Sequence, residues 1–210
     1  EVAERLETAY DEVGRTLGYF PDETVTVLLY PAKQFQAATL SPSWTNALFD
    51  GRIHLPIERL TQASGGPKAQ GQGITRMLKH ELAHAVVHRL SRGLAPAWLS
   101  EGLALYCERM SRSRSQLAQD PEAREPLRSL HGSFLRLPPK AAAAAYEESY
   151  GATQVLIQRH GILRVRQLLE TLPVTPDFPR AFEAVFHERY RDFDETWTLP
   201  QAGPQGGKKG

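Results

Sequence analysis

Apolar positions along the chain follow a helical period first, then a strand period, and then a helical period again. Residues spaced three and four apart form one apolar stripe and predict a helix over residues 2–17. β-branched and aromatic residues predict a strand over 24–30, and alternation predicts a second strand over 51–57. The proline at position 56 favours a sheet edge or a strand end for the second strand.

A glycine-rich polar segment over 64–73 predicts a flexible loop or linker. Helical periodicity then predicts two consecutive helices, about 74–91 and 97–110, with Gly93 closing the first and Pro96 opening the second. Residues 111–140 are polar, punctuated by proline and only weakly periodic. Further helices are predicted at about 141–160, 162–172 and 178–188, and another up to 197.

This order of elements predicts an α+β fold. A small N-terminal mixed sheet, with an edge strand over a cleft, would precede a helix pair and a mainly helical C-terminal lobe. We expect one domain over residues 1–200, with an α/β lobe at 1–70, the helix pair at 71–110 and the helical lobe at 111–200. The polar, glycine-rich tail at 201–210 is predicted to be disordered.

Composition narrows the class of protein. The 210 residues are 41% hydrophobic, enough for one packed core, and the net charge of +1 gives no indication of a nucleic-acid partner. No apolar run reaches the roughly 20 residues that span a bilayer, so we expect no direct membrane insertion. The single cysteine, Cys107, excludes a disulfide framework and a thiolate metal cluster. Because the chain begins with Glu1, we expect an excised or processed piece that lacks an upstream domain.

The segment "LKHELAHAVVHRL", residues 78–90, carries the strongest chemical signal. His80 and His84 are four residues apart, so on a helix both imidazoles can face one ion. Glu81 flanks them where it can reach a metal-bound water, which is the H-E-x-x-H arrangement of zinc hydrolases. A chain of this composition contains roughly 0.02 such matches by chance. The alternative interpretation is a solvated helix face that happens to carry two histidines.

A catalytic zinc site with two histidine ligands needs a third ligand from the protein. His88 lies about 12 Å from His80 along a helix, too far for one ion, and we expect it at the surface. The longer H-E-x-x-H-x-x-G-x-x-H pattern would need glycine and histidine where the chain has Val87 and Leu90. On the next helix, the carboxylate of Glu101 among apolar neighbours is costly unless it is paired or binds metal. Alternatively, it lines the start of that helix.

The neighbours of Glu101 predict how its helix is held. Trp98 and Leu99 are expected to be buried and to anchor the helix, so that Glu101 meets the two histidines. Gly102 interrupts the helix where the backbone has to pass close to another element.

"HELAH", a gap of sixteen residues and "WLSEGLA" together resemble the gluzincin metallopeptidases. The resemblance is nearest to the bacterial peptidase-MA-like domains and more distant to the zinc aminopeptidases. It implies that His80, His84 and Glu101 bind one Zn²⁺ ion and that Glu81 is the general base. It also implies a peptide or protein substrate. Such relatives are often exported, which favours an extracytoplasmic location.

The segment "AYEESYGATQVLIQRHG", residues 145–161, resembles the Y-E-K-G-A helix of the aminopeptidases. By that resemblance Tyr146 donates a hydrogen bond to the oxyanion, and Tyr150, one turn further on, is the alternative. Either tyrosine could instead pack against the core with its hydroxyl group satisfied.

Two departures from these families matter. The aminopeptidases hold the free amine of the substrate with a glutamate on an edge strand, whereas the comparable segment at 46–56 has no glutamate and Asp50 is a doubtful substitute. Thermolysin-like enzymes place an acid four residues after the third ligand, but this chain has Leu105, so other groups must orient the histidines. His54 on the second strand would line the cleft and bind substrate, or it is an ordinary strand residue.

These observations favour a zinc metallopeptidase, specifically an endopeptidase. The alternative is a non-catalytic zinc-binding or peptide-binding module that retains the peptidase fold. Glu81 favours the catalytic interpretation, since a module that cleaves nothing has no use for the base. A structural zinc site is disfavoured because three ligands leave one position open.

Overall fold

The computed structural model of the chain describes residues 2–42, 45, 47–58, 66–109 and 125–197. Within them lie the helices α1 (Val2–Leu17), α2 (Ala32–Thr39), α3 (Gly66–Ser91), α4 (Ala97–Arg109), α5 (Pro139–His160), α6 (Ile162–Thr171), α7 (Phe178–Phe186) and α8 (Tyr190–Thr196). The strands are β1 (Val27–Tyr30), β2 (Leu48–Phe49) and β3 (Ile53–Pro56). Two short 3-10 helices, Leu127–Leu130 and Phe134–Arg136, precede α5. The predicted α+β class is confirmed.

The three strands form one mixed sheet in the order β1-β3-β2. β3 runs parallel to β1 and antiparallel to β2, where Phe49 lies opposite Ile53. Of the two positions considered for the segment 51–57, the sheet edge is wrong, because β3 lies between β1 and β2. Pro56 is the last residue of β3, and a strand end tolerates a proline. A two-residue strand has no alternation, so the sequence pattern could not reveal β2.

Helix α3 begins at Gly66, so the loop predicted over 64–73 is wrong for residues 66–73. Residues 64 and 65 lie outside the described part of the chain. The proline at position 67 is tolerated because it falls in the first helical turn, where backbone N–H groups have no partner within the helix. Glycine costs a helix only about 1 kcal/mol per residue, which the rest of a long helix can offset.

The turn between α3 and α4 brings the two helices against each other. Gly93 has a φ of 75° and donates its N–H to the carbonyl of His88 at 3.1 Å, which closes α3 as predicted. Pro96 follows, and its carbonyl accepts the first hydrogen bonds of α4 from Leu99 and Ser100. The chain therefore reverses within five residues.

Helix α3 is the central helix of the core, and α1, α4 and α6 pack around it. Leu78, on its inner face, has no exposed surface. Trp98 and Leu99 at the start of α4 are also fully buried, which confirms the prediction for both. The indole of Trp98 stacks on Tyr190 of α8 at a ring distance of 6.3 Å. The C-terminal helices thus hold the start of α4 in place.

Helices α4 and α5 approach each other closely at Gly102. A Cβ atom on this residue would lie 2.0 Å from the hydroxyl oxygen of Thr153 and 2.4 Å from the carbonyl oxygen of Ser149. Side chains cannot approach so closely, so this contact requires glycine. The predicted close approach at Gly102 is therefore confirmed, and its partner is α5.

No helix in the described residues is both long enough and apolar enough to cross a membrane. The predicted disordered tail at 201–210 falls on residues that are not described. The predicted limits of the domain and of its three parts stay predictions.

Candidate metal centre

Side chains from α3 and α4 bring three potential metal ligands together. The Nε2 atoms of His80 and His84 are 3.2 Å apart, and Oε2 of Glu101 lies 3.5 and 3.4 Å from them, respectively. Zinc bonds of about 2.0–2.1 Å in tetrahedral geometry separate ligand atoms by about 3.3 Å. The three atoms therefore have the spacing of one face of a zinc tetrahedron, and they form the candidate metal centre.

The surroundings of Glu101 also fit a cation. Its Oε2 atom is buried and makes no hydrogen bond within the described residues, an arrangement that costs free energy unless a cation compensates it. The side chain is 19% exposed, and those of His80 and His84 are 18% and 14% exposed. Two imidazole nitrogens and one carboxylate oxygen are a donor set that zinc binds well. The residues present thus fit a zinc ion.

Electrostatics at the centre favour positive charge. Burial opposes protonation of His80, but contacts with Glu101 and Glu108 outweigh it and raise the pKa of His80 to about 10. Burial alone would raise the pKa of Glu101, but His84 and His80 hold it well below its usual range. Both shifts come from the close pairing of imidazoles with carboxylates, which favours the charged form of each group. Such an environment attracts a metal cation.

Glu81, the glutamate of the H-E-x-x-H motif, lines the same cleft as these three residues. It is only 5% exposed, and burial raises the pKa of its carboxyl group although His80 and His84 oppose the shift. A buried carboxylate with a raised pKa is a stronger proton acceptor than one in water.

Two side chains of α4 hold the outer nitrogens of the histidines, and sequence reasoning missed both. Oε2 of Glu108 lies 3.2 Å from Nδ1 of His80, and Oγ of Ser100 lies 2.9 Å from Nδ1 of His84. Such partners fix the orientation of metal-binding histidines. Glu108 is seven residues after Glu101, a spacing that places both on one helix face, so the signal was present in the sequence.

A cleft of about 1090 Å³ surrounds the candidate metal centre. Helix α3 lines it from Gly73 to Ser91, about 27 Å along the helix axis, with the two histidines near the middle. Leu48 and Phe49 of the edge strand β2 form one wall. The cleft thus extends past the centre in both directions along α3.

Tyr146 of α5 lines the cleft, as its sequence assignment requires. Its ring packs edge-on against Phe134 at a ring distance of 5.3 Å. Burial, reinforced by the nearby carboxylates of Glu101 and Glu81, raises the pKa of Tyr146 above its usual value. The hydroxyl group therefore stays protonated and can donate a hydrogen bond.

The two other candidate residues, Tyr150 and His54, do not line the cleft among the described residues. Tyr150 is 3% exposed, and its hydroxyl accepts a hydrogen bond from Nε2 of Gln154 at 3.1 Å. His54 is buried in β3, with Nε2 at 2.8 Å from Asp50 and Nδ1 at 3.1 Å from the hydroxyl of Tyr30.

His88 is exposed, as expected, but it also lines the cleft, beyond the candidate metal centre. Its ring packs edge-on against Phe49 at 5.6 Å. This contact holds the edge strand β2 against α3.

The chain was compared with known families, curated proteins and solved structures. The family model described as the Peptidase MA superfamily matches residues 12–199, about nine-tenths of the 210 residues. No curated protein and no solved structure matched the chain. The matched range contains the candidate metal centre, Glu81 and Tyr146. The chain belongs to the peptidase MA superfamily.

Proposed function

We propose that the protein is a zinc-dependent metallopeptidase that hydrolyses internal peptide bonds. One observation carries the proposal. The nitrogens of His80 and His84 and the carboxylate of Glu101 have the spacing of zinc ligands, next to the buried Glu81 in an extended cleft. Membership of the peptidase MA superfamily supports a peptide substrate.

Each residue at the centre has a separate role in the proposed hydrolysis. Bound zinc would lower the pKa of a water molecule to about 7 and polarise the carbonyl group of the substrate. Glu81 accepts the proton from the attacking water and later gives it to the departing amine. Glu108 and Ser100 hold the imidazoles of His80 and His84 in orientation. The hydroxyl of Tyr146 donates a hydrogen bond to the oxygen on which negative charge develops.

Two features support cleavage within a peptide rather than at its amino end. The cleft continues on both sides of the candidate metal centre, so substrate residues fit before and after the scissile bond. Asp50 was considered above as a ligand for a substrate amine. Its Oδ1 atom lies at hydrogen-bond distance, 2.8 Å, from Nε2 of His54. This contact with a buried histidine leaves Oδ1 of Asp50 less available to a free amine.

The edge strand β2 is suited to hold an extended substrate. Both edges of β3 are already paired, so β3 cannot accept a peptide strand. Within the described residues β2 pairs only with β3, and its Leu48 and Phe49 line the cleft. Strand addition to β2 would place the substrate backbone along α3.

Metal content tests the proposal directly. Elemental analysis of the purified protein is expected to give about one zinc per chain, and His84→Ala to abolish stoichiometric binding. Glu108→Gln removes only the partner of His80 and is expected to weaken zinc binding about 10- to 100-fold. His88→Ala, one turn further along α3, is the matched histidine control and should bind zinc like the wild type. Full zinc occupancy in His84→Ala would contradict the proposed centre.

The two tyrosines of α5 give a second test. Tyr146→Phe is expected to lower kcat by about 10²- to 10³-fold with little change in stability, because it removes one donor to the oxyanion. Tyr150→Phe is the matched control and should retain activity, since its hydroxyl lies outside the cleft. The measurements are kcat on a cleaved peptide and the thermal midpoint. A large loss in Tyr150→Phe alone would transfer the role to Tyr150.

A further inference from the structure

His131 lines the cleft although no metal-binding or catalytic pattern contains it. It follows the 3-10 helix Leu127–Leu130, and its carbonyl accepts a hydrogen bond from the backbone N–H of Ala97 at 3.1 Å. This bond attaches His131 to the first turn of α4. Ala97 precedes Glu101 by four residues, about 6 Å along the helix. His131 is thus bonded to the helix that carries Glu101, four residues before it, and lines the same cleft as the candidate metal centre.

The imidazole of His131 is held from the interior of the protein. Its Nε2 atom lies 2.9 Å from the hydroxyl oxygen of Tyr190, a residue that is only 6% exposed. The ring of Phe178 packs edge-on against the imidazole at 5.5 Å and 85°. Tyr190 in turn stacks on Trp98, which anchors α4. The imidazole is therefore fixed to the same core that positions Glu101.

The second ring nitrogen faces a different environment. Nδ1 of His131 makes no hydrogen bond within the described residues, and it is not among their buried polar atoms that lack a partner. It therefore keeps some exposed surface, on a residue that lines the cleft. Burial of the ring lowers the pKa of His131, although Asp194 opposes the shift. An uncharged imidazole offers one directional hydrogen bond rather than a charge.

We infer that His131 binds the main chain of the substrate within the cleft that surrounds the candidate metal centre. This inference rests on the proposed peptidase function. A peptide group has both an N–H and a carbonyl, so it can pair with either tautomer of the imidazole. His131 is thus assigned to substrate binding and not to the bond-breaking step.

The test compares Tyr190→Phe with the double variant Tyr190→Phe/His131→Phe. The double variant keeps both rings in the core, removes the nitrogens and leaves no unpaired hydroxyl. A mixed peptide library is first digested with the zinc-loaded wild type to identify a cleaved peptide. On that peptide the double variant is expected to raise KM about 2- to 10-fold over Tyr190→Phe, the equivalent of one hydrogen bond, with kcat nearly unchanged. Zinc content and thermal midpoint are measured in parallel.

The possible results separate this inference from the proposed function. Equal KM values in Tyr190→Phe and the double variant, on a peptide that the wild type cleaves, would overturn the inference alone. A rise in KM that disappears at saturating zinc would mean that His131 only supports α4, and it would also overturn the inference. No cleavage of any library peptide by the zinc-loaded wild type would overturn the proposed function together with the inference.

Discussion

Replacing Glu81 with glutamine is expected to preserve zinc binding and to lower peptide hydrolysis by about 10²- to 10⁴-fold. The amide has nearly the shape of the carboxylate, but it cannot accept the proton of the attacking water. Glu81 is not one of the three side chains whose atoms have ligand spacing, so zinc content should not change. The measurements are turnover on a cleaved peptide and zinc content by elemental analysis.

Glu147→Gln is the matched control for this substitution. Glu147 also lines the cleft and its side chain is half-buried, but it lies on α5, outside the H-E-x-x-H motif. We expect this variant to keep most of the wild-type turnover. Unchanged turnover in Glu81→Gln would show that another group is the base. Zinc binding without cleavage by the wild type would instead favour a non-catalytic peptide-binding module.

Trp98→Ala is expected to cost about 3–5 kcal/mol in the free energy of unfolding, because it leaves a cavity at the centre of an aromatic cluster. Trp98 has no exposed surface, and its indole lies within 6.0 to 6.4 Å of the rings of Phe178, Tyr190 and Phe193. For a chain of this length the thermal midpoint should fall by about 6–20 °C. Differential scanning calorimetry of the protein in a metal chelator measures this change without a contribution from zinc.

Val174→Ala is the control for the loss of an apolar side chain. Val174 is 84% exposed, so its truncation should change stability by no more than about 0.5 kcal/mol. The zinc affinity of Trp98→Ala should also fall, since Trp98 positions the helix that carries Glu101. A thermal midpoint of Trp98→Ala equal to that of the wild type would contradict the packing of α4 described above.

The grouping of His80, His84 and Glu101 could be predicted, because it follows from residue spacing and from neighbours close in the sequence. Helical spacing puts the two histidines on one face, and the apolar neighbours of Glu101 make an unpaired carboxylate costly there. The burial of Trp98 and Leu99 followed from the same apolar run. Periodicity likewise predicted nearly all of the helices.

Features that depend on contacts between distant segments could not be predicted in this way. Strand β2 has two residues, too few for a pattern, so the sequence could not show that β3 is the central strand of the sheet. The placement of His54 away from the cleft follows from that central position and from its pairing with Asp50. The contact between His131 and Tyr190 joins residues 59 positions apart, which one sequence does not reveal.

The close approach at Gly102 bears on how the cleft can open. With Thr153 and the backbone of Ser149 in direct contact with this glycine, α4 and α5 have no room to slide past each other. Glu101 and Tyr146 therefore lie on helices that are fixed against each other, and we expect their separation to stay constant when a substrate binds. The opposite wall is held less closely there, since β2 rests on α3 through Phe49 and the exposed ring of His88. Substrate entry should thus leave α4 and α5 as a fixed frame.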